Sequence, residues 1–162
     1  MIPDEPVRGL TPQPWVGSLT GIERCRAYSR GLLPATPMAR LFGYRLTHVA
    51  AGTVTLAMPA NDANIAGIGQ MEISAPMIAA LEGACNTALP AGFDVLPLRL
   101  GFDPFRPAWP GRGNLLCRAR IVSSSNLFVN AVVQVEDSEG RHVAQGSLHG
   151  AVVPINPPSP PP

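Results

Sequence analysis

Between Asn64 and Gly92 the chain reads NIAGIGQMEISAPMIAALEGACNTALPAG, and Glu72 and Glu82 are the only carboxylates in it. A carboxylate in apolar surroundings has two chemical uses: it takes a proton from water as a general base, or it attacks a polarised carbonyl itself. Glu82 falls inside the most apolar part, where a bare charge is very costly, so it must be hydrogen-bonded, paired or protonated. It marks a site, or it makes a structural bond to Asn86 or to a partner chain. Glu72 stands at or just before the start of the apolar run, either as a base for water or as a helix cap favoured by the dipole. Beside it, Gly69 lets backbone approach a ligand closely. Gln70 can orient a group by hydrogen bonds but cannot act as a base near neutral pH. Asn64 can position water or shape a turn.

The run that carries these groups is apolar on every side, which predicts a helix over Ser74–Leu89 buried all round. Ser74 suits its N-cap and Pro76 its first turn. The free N–H groups and positive dipole end at that start can stabilise a developing oxyanion. Earlier, SLTGIERCRAYSRGLL spaces Ile22, Cys25, Arg26, Ser29, Leu32 and Leu33 as an amphipathic helix, ended by Pro34 and Pro37. PMARLFGYRL predicts a helical turn entering a first strand. GTVTLAMP alternates as a half-buried strand, with His48 to Gly52 as the hairpin between them. VLPLRLGF, NLLCRARIV, NLFVNAVVQVE and HVAQGSLHGAVV follow as four strands, separated by DPFRPAWPGRG, SSS and the hairpin tip DSEG. Antiparallel strands with one apolar helix predict an α+β layer design in which the sheet curls around the helix. The chain divides into an irregular arm (Met1 to Val16) and helix within 1–36, a main domain over 37–153 and a Pro-rich tail over 154–162.

The composition narrows the partners. Hydrophobic residues make up 46% of the chain and charged residues 14%, so the surface is unusually apolar or covered by another copy, and an oligomer is expected. A net charge of +1 provides no long-range field for nucleic acid or an acidic membrane. Cys25, Cys85 and Cys117 are an odd number without redox or metal spacing, which fits a reducing cytoplasm. The three histidines, His48, His142 and His149, are dispersed, so no metal is expected. Ser147 and His149 share a strand face without an acid or a nucleophile elbow. Cys85 reads as a small core residue, and GRG around Arg112 as a turn. Arg118 and Arg120 share a strand face that can meet phosphates or face solvent.

This element order, with particular residues, resembles the hotdog fold and, within it, the PaaI-like acyl-CoA thioesterases, from about Pro37 to Val153. Asn64 and Gly67 stand in the small-residue segment that precedes the family's His-Gly-Gly, and Leu89-Pro90-Ala91-Gly92 closes the helix. Phe105-Arg106-Pro107, Leu116 to Val122, Asp137 to Gly140 and Val143-Ala144 match the strands and the hairpin. Gln70 or Gly69 falls at the family's His, Met71 and Glu72 at its glycines, and Ala79 or Ile78 at its catalytic Asp. The resemblance implies a curved antiparallel sheet around a central helix and hydrolysis of small acyl-CoA thioesters at a site between subunits of a homodimer or dimer of dimers. Backbone from Gly69 through Met71 to Glu72, next to Ser74, would polarise the carbonyl, with Glu72 or Glu82 handling water and Asn64 assisting. Arg118 and Arg120 would meet the phosphates of coenzyme A, which enters as substrate and not as cofactor. The alternative is a non-catalytic protein of this fold that binds an acyl thioester or another small ligand. Hydratase chemistry, which needs an Asp/His pair, ranks last.

Overall fold

A computed structural model describes residues 17–61, 64 and 72–155. The expected N-terminal arm and most of the Pro-rich tail lie outside the described residues. Helix α1 (Gly21–Ser29) opens with a capping box in which Thr20 and Glu23 satisfy each other's backbone N–H groups. It stops earlier than expected. Gly31, at a φ of 70°, turns the chain away after Arg30. Pro37 does not end α1 but begins α2 (Pro37–Phe42), with Thr36 as N-cap.

Among the described residues six strands follow: β1 (Arg45–Ala50), β2 (Thr53–Pro59), β3 (Phe93–Pro104), β4 (Asn114–Ser124), β5 (Phe128–Glu136) and β6 (His142–Pro154). The central helix α3 (Ser74–Asn86) lies between β2 and β3 in the chain. All neighbouring strands are antiparallel, in the order β1-β2-β4-β5-β6-β3. Alternation in the sequence sends Val54, Leu56 and Met58 of β2, Leu115, Cys117 and Ala119 of β4, and Val129, Val133 and Val135 of β5 to one buried face. Register shifts in β1, β3, β4 and β5 add the local twist that lets the sheet curve over α3. Pro97 and Pro104 are tolerated in β3 because that strand is an edge among the described residues, paired there with β6 alone. The tail begins later than expected: β6 includes Pro154, and Ile155 N–H donates to Gly92 O at 2.8 Å.

Against the expectation of burial all round, α3 has two faces. Pro76, Met77, Ala80, Leu81, Ala84 and Cys85 are buried, and each large apolar side chain among them stabilises the fold by about 1.5–3 kcal/mol. Ala75, Ile78, Ala79, Glu82, Gly83 and Asn86 are only half-buried. Gly83 is the weak point of this helix, and a Cβ there would meet Val54 at 3.5 Å, an ordinary contact. Gly83→Ala is therefore expected to raise stability by up to about 1 kcal/mol through helix propensity alone. Equilibrium denaturation checks it, and a loss of stability would show the contact to be too tight.

Candidate active site

The helical repeat brings Ala75, Ala79, Glu82, Gly83 and Asn86 to one side of α3, where they floor a cleft of about 700 Å³. Cys25 and Tyr28 of α1, Met38 and Ala39 of α2, and Leu46 and Leu56 of β1 and β2 wall it, and Asp94 and Val95 close it at β3. The walls are mostly apolar, and Glu82 is the carboxylate on the floor. No described residue donates a hydrogen bond to it. Burial pushes its carboxyl above the ordinary value, and the nearby Asp94 charge adds to the shift. Tyr44, also in the cleft, has its phenol raised by burial, with the Glu82 charge contributing.

Asn86 does not bond Glu82. Its Oδ1 accepts from Arg24 Nη2 at 3.3 Å, and the same nitrogen donates to Phe93 O at 2.6 Å. Arg24 is the residue that sequence reasoning missed. The expected amphipathic spacing ran through Arg26 and Ser29, yet both are exposed, while Gly21, Arg24, Cys25 and Ala27 are buried. The signal was present as Gly21, Arg24, Cys25 and Tyr28 at i, i+3, i+4 and i+7; the charge of Arg24 concealed it.

The other expected site residues are distributed elsewhere. Ser74 is not the N-cap. That position is Ile73, which makes no side-chain cap, and the Glu72 carboxylate does the capping, accepting Ser74 N–H at 2.8 Å and the Ser74 hydroxyl. Glu72 N–H donates to Asn64 O at 2.7 Å, so it is not available to a substrate carbonyl. Asn64 is buried. Its Nδ2 donates to Phe42 O at 2.8 Å and Pro59 O at 3.2 Å, which ties α2, β2 and the approach to α3 together. Its Oδ1 is buried with no described partner. Neither Glu72 nor Asn64 lines the Glu82 cleft. Gly69, Gln70 and Met71 lie outside the described residues.

Arg118 and Arg120 project from the opposite face of the sheet, beside Thr53, Thr55 and Gln134, and Arg118 pairs with Glu136 at 3.2 Å. Ser147 shares that outer face, and His149 bonds Asn130 through Nδ1 at 2.7 Å. Cys85 is fully buried, its thiol pushed up to about 12 by burial, and is inert as a nucleophile. Among the described residues no group of His, Cys, Asp and Glu could hold a metal ion, and no helix is long and apolar enough to cross a membrane.

No family model matches the sequence, and no curated protein matches it significantly. Solved structures do match. A thioesterase family protein from Silicibacter pomeroyi superposes with a TM-score of 0.71 at 18% identity, over 80% of this chain and 98% of that one. A phenylacetic acid degradation-related protein from Ralstonia eutropha gives 0.70 at 23% identity, over 78% and 98%. The PaaI protein of the phenylacetic acid degradation operon of E. coli gives 0.69 at 13% identity, over 81% and 94%. With one helix held in a curved sheet of six antiparallel strands, and with these structures superposing on most of its length, the chain has the hotdog fold of the thioesterases it is similar to.

Proposed function

We propose that this chain is an acyl-CoA thioesterase whose base is Glu82. The observation that carries the reading is a carboxylate without a hydrogen-bond partner among the described residues, raised in pKa, on the floor of an apolar cleft. The likeness in fold to thioesterases supports a thioester as the bond broken. Glu82 takes a proton from water as the water oxygen adds to the thioester carbon. The carbonyl oxygen becomes an oxyanion. Collapse breaks the C–S bond, and the departing thiolate takes the proton from Glu82, giving a carboxylic acid and coenzyme A.

The outer edge of β3 supports an assembly of two copies. Leu96, Leu98 and Leu100 are exposed along it, and edge-to-edge pairing would cover them and extend the sheet. The second copy would then border the cleft at Asp94 and Val95. Three free, buried cysteines fit a reducing compartment.

Release of coenzyme A thiol from a panel of acyl-CoA thioesters tests the reading. Turnover supports it, whereas binding without turnover assigns the chain to the ligand-binding class. The acid limb of the pH profile provides a further check. Glu82 works as the carboxylate, so kcat/KM falls as pH drops through its raised pKa. Asp94→Asn removes one cause of that rise and is expected to move the limb to lower pH, while burial keeps it above the ordinary glutamate value. An unmoved limb would detach Glu82 from catalysis.

A further inference from the structure

We infer that Arg24 receives a carboxylate at the far end of the acyl group, so that the preferred substrates are coenzyme A monothioesters of short dicarboxylic acids. The inference deepens the thioesterase reading and rests on it. Arg24 lines the same cleft as Glu82 and Asn86, and its side chain is only 6% exposed. A guanidinium stays charged under all ordinary conditions, and burying it calls for a counter-charge. Its hydrogen bonds go instead to neutral acceptors, Phe93 O and Asn86 Oδ1, both through Nη2. Its one ion pair among the described residues, with Asp94, is long and partly solvated: Oδ2 lies 3.9 Å from Nη1, beyond hydrogen-bond reach, on a side chain that is 48% exposed. Nε and Nη1 donate to no described residue. Nη2, which both bidentate edges of the guanidinium share, is taken, so an incoming carboxylate is held by single charge-assisted bonds from Nη1 or Nε.

The spacing fits a short acyl chain. Asn86, which Arg24 bonds, lies one turn beyond Glu82 on α3, an axial step of about 6 Å. Gly83, Cys25 and Val95 also line the cleft, small groups that leave room for methylenes. A chain whose thioester carbon sits at Glu82 therefore brings its far end to Arg24.

The test compares glutaryl-CoA with pentanoyl-CoA, equal in carbon count and different in the terminal carboxylate. The wild type is expected to favour glutaryl-CoA in kcat/KM by about ten- to a hundredfold, the range of a charge-assisted bond. Arg24→Gln should bring that ratio close to one, and Arg24→Lys should keep part of it. Because Arg24 also ties α1 to Asn86 and Phe93, Asp94→Asn is the second variant. It leaves those bonds in place, removes the competing carboxylate and is expected to raise the ratio. A wild type that treats both thioesters alike, or an Arg24→Gln protein that keeps the preference, overturns the inference. So does a KM that rises equally for both coenzyme A thioesters in Arg24→Gln but not for the pentanoyl thioester of N-acetylcysteamine, since the anion would then be a coenzyme phosphate. If no thioester is turned over, the thioesterase reading fails separately, and calorimetry with glutarate still decides on Arg24. Binding that Arg24→Gln abolishes supports the anion site, and no binding to the wild type overturns it.

Discussion

Glu82→Gln is expected to lower kcat for thioester hydrolysis by about 10²–10⁴-fold, the usual contribution of a positioned general base, while making the protein harder to unfold at neutral pH. The amide keeps the shape and hydrogen-bonding reach of the acid but cannot take the proton from water. The gain in stability follows from linkage. Burial and Asp94 raise the Glu82 carboxyl in the folded state above its unfolded value near 4.5, so folding favours the protonated form. That favourable contribution is fully present below the unfolded pKa and is lost as pH rises through the folded one, where the buried carboxylate opposes folding. The substitution removes this penalty at pH 7.5, by about 0.5–2 kcal/mol if it follows other exchanges of an active-site group for stability. At pH 4 or below the two proteins should converge. Steady-state rates and thermal melts at the two pH values check both halves. Retained activity would remove Glu82 from the reaction, and a variant less stable at pH 7.5 would mean that the carboxylate is paired by a group outside the described residues.

Most of the sheet was legible because strand information is local. The alternation in GTVTLAMP and NLFVNAVVQVE survives whatever packs on it, and the DSEG turn closes through Asp137 and Gly140 within its own few residues. The central helix was legible for the opposite reason, since so apolar a segment has to be mostly covered, although its composition did not show that one face borders a cleft. What the sequence did not disclose is how elements face one another. Period-two spacing puts Arg118 and Arg120 on one side of β4 but cannot say that this side turns away from α3. Similarly, a serine before a helix suits a cap, yet Glu72 accepts the N–H of Ser74 itself and leaves Ser74 inside the helix. Arg24 is the sharpest case. The helical spacing of Gly21, Arg24, Cys25 and Tyr28 marks a face, but that this face meets α3 depends on a contact between segments 62 residues apart, and the charge of Arg24 argued against it.

How α1 meets α3 can itself be tested through Gly21. Its N–H donates to Leu89 O at 3.0 Å, which seats the start of α1 on the end of α3. A Cβ at Gly21 would lie 1.7 Å from Asn86 O and 2.6 Å from Asn86 C, both backbone atoms that no rotamer change can move aside. Gly21→Ala must therefore lift α1 off α3. The expected loss is at the upper end of the range for overpacking, about 3 kcal/mol, or a fall in Tm of about 6–12 °C for a chain of this size. Gly17→Ala is the control, because no described residue lies within 4 Å of a Cβ there and its stability should hold. The damage should also reach the cleft. Arg24 sits one turn along α1 from Gly21 and bonds Asn86 and Phe93 from there, and Cys25 and Tyr28 on the same face wall the Glu82 cleft. Displacing α1 withdraws the wall but leaves Glu82 on α3, so KM should rise more than kcat falls. A Gly21→Ala protein that melts with the wild type would mean that α1 and α3 do not meet at this point, and the arginine end of the cleft would have to be redrawn.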